Sequence, residues 1–193
     1  KEPEVKINPA RKNRYEVTVN IKDAPGGFEF AEGRELYYAK NCKYTTNRMM
    51  GATANPHFDQ IVPLTKVGGT TYQGVFYTDS PLNEDYYGQG VCKWENIGIS
   101  MEFKASNKDN RDTRFSPSIN FPVLQEISLE NPSNKFVFYY FKNDYPFADF
   151  MSSKDINESG FSFTGLTLQE IKKRNLKEED FFSIEVDIKK VEK

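Results

Sequence analysis

The sequence is poor in the residues that most often build catalytic and metal sites. Its 193 residues include one histidine, one tryptophan and two cysteines. A nucleophilic or metal site that needs histidine would depend on His57 alone, and the proline-containing segment ANPHFDQ around it indicates a surface loop. The G-x-S-x-G, H-E-x-x-H and phosphate-loop motifs are missing. We therefore predict that the protein is not an enzyme and holds no cofactor or metal.

Charge of one sign and long apolar runs are also scarce. The formal net charge is -2, so the chain lacks the basic field that nucleic acid attracts. The longest apolar run, Phe136 to Phe141, is far shorter than the roughly 20 residues of a membrane-spanning helix. We expect neither nucleic-acid binding nor a membrane span.

Aromatic residues are abundant by comparison, with 16 Phe and 11 Tyr. Many lie in alternating, β-branched stretches such as YEVTVNI (15–21) and FFSIEVDIKKV (181–191), which are typical of half-buried strands. The sequence predicts a mainly β protein, an antiparallel β-sandwich with one short helix near the C-terminus. We assign residues 1–14 to a polar N-terminal tether and residues 15–193 to a single β-rich domain.

Turn residues place several of the strands. Pro25-Gly26-Gly27 predicts a hairpin after the first strand, and Gly68-Gly69 predicts a second one. Pro63 lacks a backbone donor, which suits an edge strand. The segment NRMMGATANPHF (47–58) contains Gly and Pro and is predicted to be a loop.

The second half of the chain gives three further predictions. NFPVLQEISLENPSNKFVFYYF (120–141) predicts two strands, the second a central strand covered on both faces. Thr167 stands three residues before Glu170, the spacing of a helix capping box. A core-facing strand is predicted from an alternating set. Because Cys92 and Trp94 have the opposite parity, a bulge or a strand start between them and Ile97 must reorient the chain if all are buried. The set comprises Ile97, Ile99, Met101 and Phe103.

The two cysteines are predicted to pair. Neither Cys42 nor Cys92 lies in a CxxC or Cys/His pattern that would suggest zinc. The bond would close a loop of about 50 residues and contribute about 4 kcal/mol. It would place the protein in an oxidising compartment such as a periplasm, which suits a polar N-terminus left by a removed export signal. The alternative is two unrelated buried thiols in a cytosolic protein.

The segment NEDYYGQGVCKW (83–94) concentrates the candidate binding residues. Gly88, Gly90, Cys92 and Trp94 are interpreted as structural, because glycine permits unusual backbone shapes and Trp94 would pack beside the disulfide. The nearby acids and tyrosines form a candidate recognition patch, since tyrosine combines apolar area with a hydrogen-bonding tip. The predicted partner-binding residues are Asp79, Glu84, Asp85, Tyr86 and Tyr87.

Two other function classes stay open. In the first, exposed tyrosines and Trp94 stack on sugar rings in a carbohydrate-binding or adhesive module. The loop NKDNRDT offers Asp109 and Asp112 as calcium ligands for such a module, although it lacks the spacing of an EF-hand and also suits a solvated loop. The second class is a hydrolase that uses two carboxylates, for which abundant acids give no specific signal.

The upstream Cys42, the block GVFYTDSPLNEDYYGQGVCKW and the alternating strand after it resemble secreted, often lipid-anchored periplasmic proteins of Gram-negative bacteria. Some of these are immunity proteins against toxins delivered by type VI secretion. The resemblance covers roughly Tyr38 to Phe103 and implies a periplasmic inhibitor that binds a protein toxin and blocks its active site or its access to substrate. A lipid anchor supplied by a removed or upstream N-terminal signal stays open.

Overall fold

The computed structural model describes residues 3–106, 115–131, 133–146 and 164–192. In these ranges the chain forms eleven strands and two short α-helices, so the predicted mainly β class is confirmed. The strands are β1 (Arg14–Lys22), β2 (Phe30–Tyr38), β3 (Tyr44–Asn47), β4 (Ala52–Ala54), β5 (His57–Pro63), β6 (Thr65–Gly68), β7 (Thr71–Tyr77), β8 (Glu95–Lys104), β9 (Ser118–Asn120), β10 (Ser133–Phe141) and β11 (Phe181–Val191). The helices are α1 (Phe121–Gln125) and α2 (Leu168–Lys173).

Two antiparallel sheets pack face to face. One has the strand order β10-β11-β1-β7-β6, the other has the order β5-β2-β8-β9, and β3 and β4 form a separate hairpin. The alternating strands behave as predicted, because the apolar faces of β1 and β11 are buried and the two strands pair with each other. The core between the sheets includes Val17, Val19, Ile99, Met101, Phe103, Phe182, Ile184, Val186 and Ile188.

The predicted hairpin at Pro25–Gly27 is wrong. β1 pairs with β7 and β11, whereas β2 lies in the other sheet between β5 and β8. The connection crosses the sandwich because Phe28 packs into the core, with its ring 6.0 Å from that of Phe103 and 5.9 Å from that of Phe115. The hairpin at Gly68-Gly69 is confirmed, and Pro63 ends the edge strand β5 as predicted.

The predictions for residues 120–141 need two corrections. The first predicted strand is a three-residue strand followed by helix α1, because Pro122 in the first helical turn favours the helix. The second, β10, is an edge strand and not a central one. Its apolar residues serve two clusters: Tyr140 belongs to the main core, whereas the ring of Phe141 lies 4.3 Å from that of Phe181 in a small second cluster with Leu166.

The helix near the C-terminus is confirmed. Thr167 accepts a hydrogen bond from the backbone N–H of Glu170, and the Glu170 carboxylate accepts one from the backbone N–H of Thr167. Ile171 is the buried residue of α2 and joins the second cluster. This reciprocal cap is the capping box that the spacing of Thr167 and Glu170 predicted.

The predicted bulge is present in β8. Leu36 pairs with Gly98 and Tyr37 pairs with Asn96, which leaves Ile97 without a partner in β2. Ile97 is therefore turned outward and 44% exposed, so its predicted place on the core face is wrong. The residues after the bulge, Ile99, Met101 and Phe103, are buried as predicted.

A methyl group at Gly98 should disturb this bulge. Gly98 has a φ of 152°, and a Cβ there would lie 2.6 Å from the backbone oxygen of Ile119. We expect Gly98→Ala to lower the free energy of unfolding by about 2 kcal/mol, measured by urea denaturation. Gly68→Ala is the matched control, because nothing lies within 4 Å of its Cβ position. Equal stability of the two variants would contradict the role of the bulge.

A buried carboxylate joins the two sheets. Glu35 of β2 is 1% exposed, and its Oε1 accepts a 2.7 Å hydrogen bond from the backbone N–H of Tyr77 in β7. The Tyr37 hydroxyl lies 2.9 Å from Glu35 Oε2 and 2.7 Å from the carbonyl oxygen of Tyr77. β6 pairs with β7 only over Thr71–Gln73, so at Tyr77 two side chains take the place of a neighbouring strand.

Candidate functional site

The predicted disulfide between Cys42 and Cys92 is present. It joins the loop after β2 to the turn before β8, and both cysteines are buried. Ala39, Tyr86, Tyr87 and Trp94 pack around it. The bond therefore holds together two segments that are 50 residues apart in the sequence.

Aromatic rings surround the disulfide. Trp94 packs against Tyr86 and Phe58, with ring centroids 6.2 Å and 6.0 Å away. Tyr87 stacks on Tyr44 at 6.1 Å with an interplanar angle of 21°. Trp94 is half-buried and makes the contacts of a scaffold residue, whereas the Tyr44–Tyr87 pair borders an open groove.

The turn from residue 84 to residue 92 is organised by Asp85. Its carboxylate accepts hydrogen bonds from the backbone N–H groups of Tyr87, Gln89 and Gly90 at 3.0–3.2 Å. Burial alone would raise the pKa of Asp85, but hydrogen bonds from four backbone amides outweigh it and lower the pKa. Gly88 and Gly90 both have positive φ, as expected of structural glycines.

The other predicted acids also contact their own chain. The Asp79 carboxylate accepts hydrogen bonds from the backbone N–H groups of Lys12 and Asn13 at 2.8 Å and 3.1 Å. Glu84 forms a 2.7 Å ion pair with Lys6. Both acids therefore fasten the N-terminal segment, and their role toward a partner stays a prediction.

The described part of the predicted tether is docked on the domain. The backbone N–H of Asn8 donates to the Ser80 carbonyl at 2.7 Å, and that of Leu82 donates to the Lys6 carbonyl at 2.8 Å. The Tyr86 hydroxyl adds a 2.9 Å bond to the carbonyl oxygen of Leu82. This segment runs alongside residues 78–82 and reaches the rim of the groove.

The groove lies between β3 and the 84–92 turn and encloses about 750 Å³. The side-chain amide of Gln89 connects the two walls of the groove. It accepts a hydrogen bond from the backbone N–H of Lys43 at 3.2 Å and donates one to the carbonyl oxygen of Lys43 at 2.8 Å. The groove is open to solvent and combines cationic, amide and phenol groups. Its lining includes Lys43, Tyr44, Arg48, Tyr86, Tyr87 and Gln89.

The β3–β4 hairpin stands next to this groove. The predicted loop over residues 47–58 is wrong, because β4 and the start of β5 lie within it. Asn47 Oδ1 accepts hydrogen bonds from the backbone N–H groups of Met49 and Met50 at 3.0 Å and 3.2 Å, which fixes the turn. The side chains of Met49 and Met50 are 98% and 80% exposed at the tip.

The chain around the hairpin carries positive charges and no negative ones. Residues 36–58 contain no Asp or Glu, but they include Lys40, Lys43 and Arg48. Lys40 forms a 2.9 Å ion pair with Glu95. Lys43 and Arg48 form no ion pair with any residue of the described ranges.

Sequence reasoning found two residues of this surface, Tyr86 and Tyr87, and missed the rest. The signal for the hairpin was present as two adjacent methionines behind an arginine in a polar, acid-free stretch. The groove itself had no sequence signal, because its walls meet only in the folded chain, through the disulfide, the hydrogen bonds of Gln89 and Asn41, and the stack of Tyr44 on Tyr87.

The described residues form no site for the calcium or other metal binding considered from the sequence. Within those ranges no three His, Cys, Asp or Glu side chains could together hold a metal ion. The calcium candidates Asp109 and Asp112 lie outside the described residues. The exposed His57 packs against Tyr38, with ring centroids 5.0 Å apart. None of the helices described is both long and apolar enough to cross a bilayer.

Comparison with known proteins finds no matching family model, no matching curated protein and no matching solved structure. What this site does must therefore be inferred from its own geometry. The relevant geometry is a rigid, disulfide-braced groove next to a hairpin whose tip exposes two apolar side chains.

Proposed function

We propose that this protein is a non-enzymatic binding protein whose partner is another protein, and that the β3–β4 hairpin enters that partner. The observation that carries the proposal is the exposure of Met49 and Met50, 98% and 80%, at the tip of the hairpin. Methionine is flexible and polarisable, so it adapts to irregular apolar pockets at binding surfaces. Two adjacent methionines held in a fixed turn form an apolar anchor, and methionine is enriched in the buried core of protein interfaces.

The disulfide supports an oxidising compartment as the place of binding, because such bonds persist there. Combined with the resemblance around Tyr38 to Phe103, this leads us to propose a periplasmic immunity protein that inhibits a protein toxin. A narrow hairpin with an apolar tip fits a concave partner surface such as an enzyme cleft. A protein is favoured over a sugar because Trp94 packs against Tyr86 and Phe58 and contributes to the scaffold.

The proposal is tested by capture of the partner. The unreduced protein serves as bait for periplasmic and neighbour-gene proteins of its own organism, and bound proteins are identified by mass spectrometry. We expect one enzyme to be captured and its activity to be lost in the complex. Retention of glycans in place of a protein, or a captured enzyme that stays fully active, would reject the inhibitor function.

Substitution of the hairpin tip should weaken this complex strongly. Burial of a methionine side chain contributes about 1.5–3 kcal/mol, so we expect Met49→Ser with Met50→Ser to reduce affinity about 100-fold. Stability should not change, because both side chains are exposed in the free protein. Val67→Ser is the matched control, since Val67 is 52% exposed on the β6–β7 hairpin. Equal affinities of both variants, measured by calorimetry, would show that the hairpin does not enter the partner.

A further inference from the structure

We propose that the groove beside the disulfide binds an acidic segment of the protein partner. Lys43 and Arg48 hold a carboxylate of that segment, and Tyr44 and Tyr87 pack against its neighbouring apolar side chain. This inference rests on the proposed function and adds the chemistry of the partner to it. It follows from the charge of the groove, its rigidity and the type of side chains that line it.

Positive charge is concentrated around the groove although the chain as a whole is nearly neutral. The protein has a net charge of -2, yet the 23 residues from 36 to 58 carry only positive charges. Of these charges, Lys40 is paired with Glu95, and the pair lies outside the groove lining. Lys43 and Arg48 both line the groove and form no ion pair within the described ranges.

The two acids at the start of the 84–92 turn already have partners within the protein. The Asp85 carboxylate accepts hydrogen bonds from three backbone N–H groups of its own turn. Glu84 pairs with Lys6 at 2.7 Å. Neither acid lines the groove, so an incoming carboxylate meets two cations that form no ion pair within the described ranges.

The groove is held in shape by contacts within the protein, which lowers the cost of binding. Lys43 follows Cys42 directly, so the disulfide and the paired hydrogen bonds from Gln89 hold the start of β3 against the turn. The parallel stack of Tyr44 and Tyr87 is already formed. A groove assembled before binding loses less conformational entropy, and tyrosine provides a large contact area at low entropic cost.

The same cations do not favour a membrane surface or nucleic acid. Recognition of anionic lipid generally uses clusters of about four to eight Lys or Arg. Nucleic acid is tracked by extended basic surfaces with many phosphate contacts. Two cations in a groove that is also lined by two stacked tyrosines match a short acidic peptide segment better than either polyanion.

The test uses an acetylated hexaglutamate peptide as the probe and hexaglutamine as its uncharged match. Binding to the isotope-labelled, unreduced protein is followed by NMR at about 0.01 M and about 1 M salt, where the Debye length falls from about 30 Å to about 3 Å. We expect saturable shifts of the backbone amides of Tyr44, Tyr87 and Gln89 with hexaglutamate at low salt only. Absence of saturable shifts in these amides would overturn the inference.

Two pairs of variants locate the binding. Because one exposed ion pair contributes about 0.2–1 kcal/mol, we expect Lys43→Gln with Arg48→Gln to weaken hexaglutamate binding roughly tenfold. The control is Lys172→Gln with Lys173→Gln, two exposed cations in the last turn of α2. An equal loss in both pairs would overturn the inference. Binding to vesicles of phosphatidylglycerol that the first pair abolishes would assign the cations to a membrane and overturn it as well.

The captured partner separates this inference from the proposed function. If the partner binds the Lys43→Gln, Arg48→Gln variant as tightly as the original protein, the acidic-segment inference fails and the protein-binding function stands. If hexaglutamate binds the groove but the bait captures no protein, the proposed function fails and the anionic preference of the groove stands. Affinity for the partner that falls with both the variant and added salt supports both.

Discussion

Removal of the Cys42–Cys92 disulfide is expected to lower the free energy of unfolding by about 4 kcal/mol. The bond spans 50 residues, and closing a loop of that length restricts the unfolded chain strongly. The measurement is urea denaturation of Cys42→Ser with Cys92→Ser, next to the unaltered protein with and without dithiothreitol. The reduced protein should match the double variant. A loss below about 1 kcal/mol would mean that the bond adds little to the fold.

The same change should affect binding separately from folding. The core residues of the sandwich form a cluster distinct from the one around the disulfide, so circular dichroism should still report folded β-structure. The groove walls lose their covalent connection, and we expect affinity for the partner to fall even where the protein stays folded. Unchanged affinity of the reduced, folded protein would show that the groove is held by its other contacts.

Replacement of Glu35 is expected to lower the free energy of unfolding by about 3 kcal/mol. Glu35→Ala leaves the buried backbone N–H of Tyr77 without its acceptor and creates a cavity between the sheets, and each effect costs about 1–3 kcal/mol. Glu35→Gln is the control, because its amide oxygen can still accept from Tyr77 and its shape is nearly the same. Comparable losses in the two variants would contradict the role of the hydrogen bond to Tyr77.

The stability difference between the original protein and Glu35→Gln should depend on pH. Burial is the main cause that raises the pKa of the Glu35 carboxyl above 4.5, against hydrogen bonds from Ser80, Tyr77 and Tyr37 and the attraction of Arg11. The Tyr37 hydroxyl donates to Glu35 Oε2 at 2.9 Å and accepts a hydrogen bond from the backbone N–H of Ser80 at 3.1 Å.

The sign of the effect follows from the raised pKa. The contribution of Glu35 to stability is complete below pH 4.5, the ordinary pKa, and is lost as pH rises through the higher pKa of the folded protein. The original protein should therefore lose stability relative to Glu35→Gln between about pH 4 and about pH 7. Urea midpoints at the two pH values measure the difference. A gain in relative stability with rising pH would show that Glu35 is buried as a stabilised carboxylate.

The sequence carried the parts of the fold that depend on local patterns. The alternation in residues 15–21 and 181–191 identified β1 and β11, and Thr167 with Glu170 identified the start of α2. Local patterns did not show which of the two sheets a strand joins. Pro25–Gly27 signals a reversal of the chain, but whether β2 pairs with β1 depends on distant contacts such as Phe28 in the core.

Some features of the candidate site were also accessible from the sequence, and others were not. Pairing of Cys42 with Cys92 was accessible from their number and context, and Tyr86 and Tyr87 were accessible from their neighbours. The contacts of the neighbouring acids were not accessible, because the hydrogen bonds of Asp85 to its own turn and the ion pair of Glu84 with Lys6 arise only in the folded chain. Local sequence shows the side chains of a surface, while tertiary contacts decide which of them are available.

The bonds made by Glu35 and Tyr37 have a consequence for aggregation. Exposed strand edges can template the addition of another chain, and short edge strands leave such positions open. β6 ends its pairing with β7 at Gln73, yet the N–H and C=O of Tyr77 are occupied by the two side chains from β2. A buried acid and a tyrosine thereby protect this end of β7 from edge-to-edge polymerisation, without a further strand to cover it.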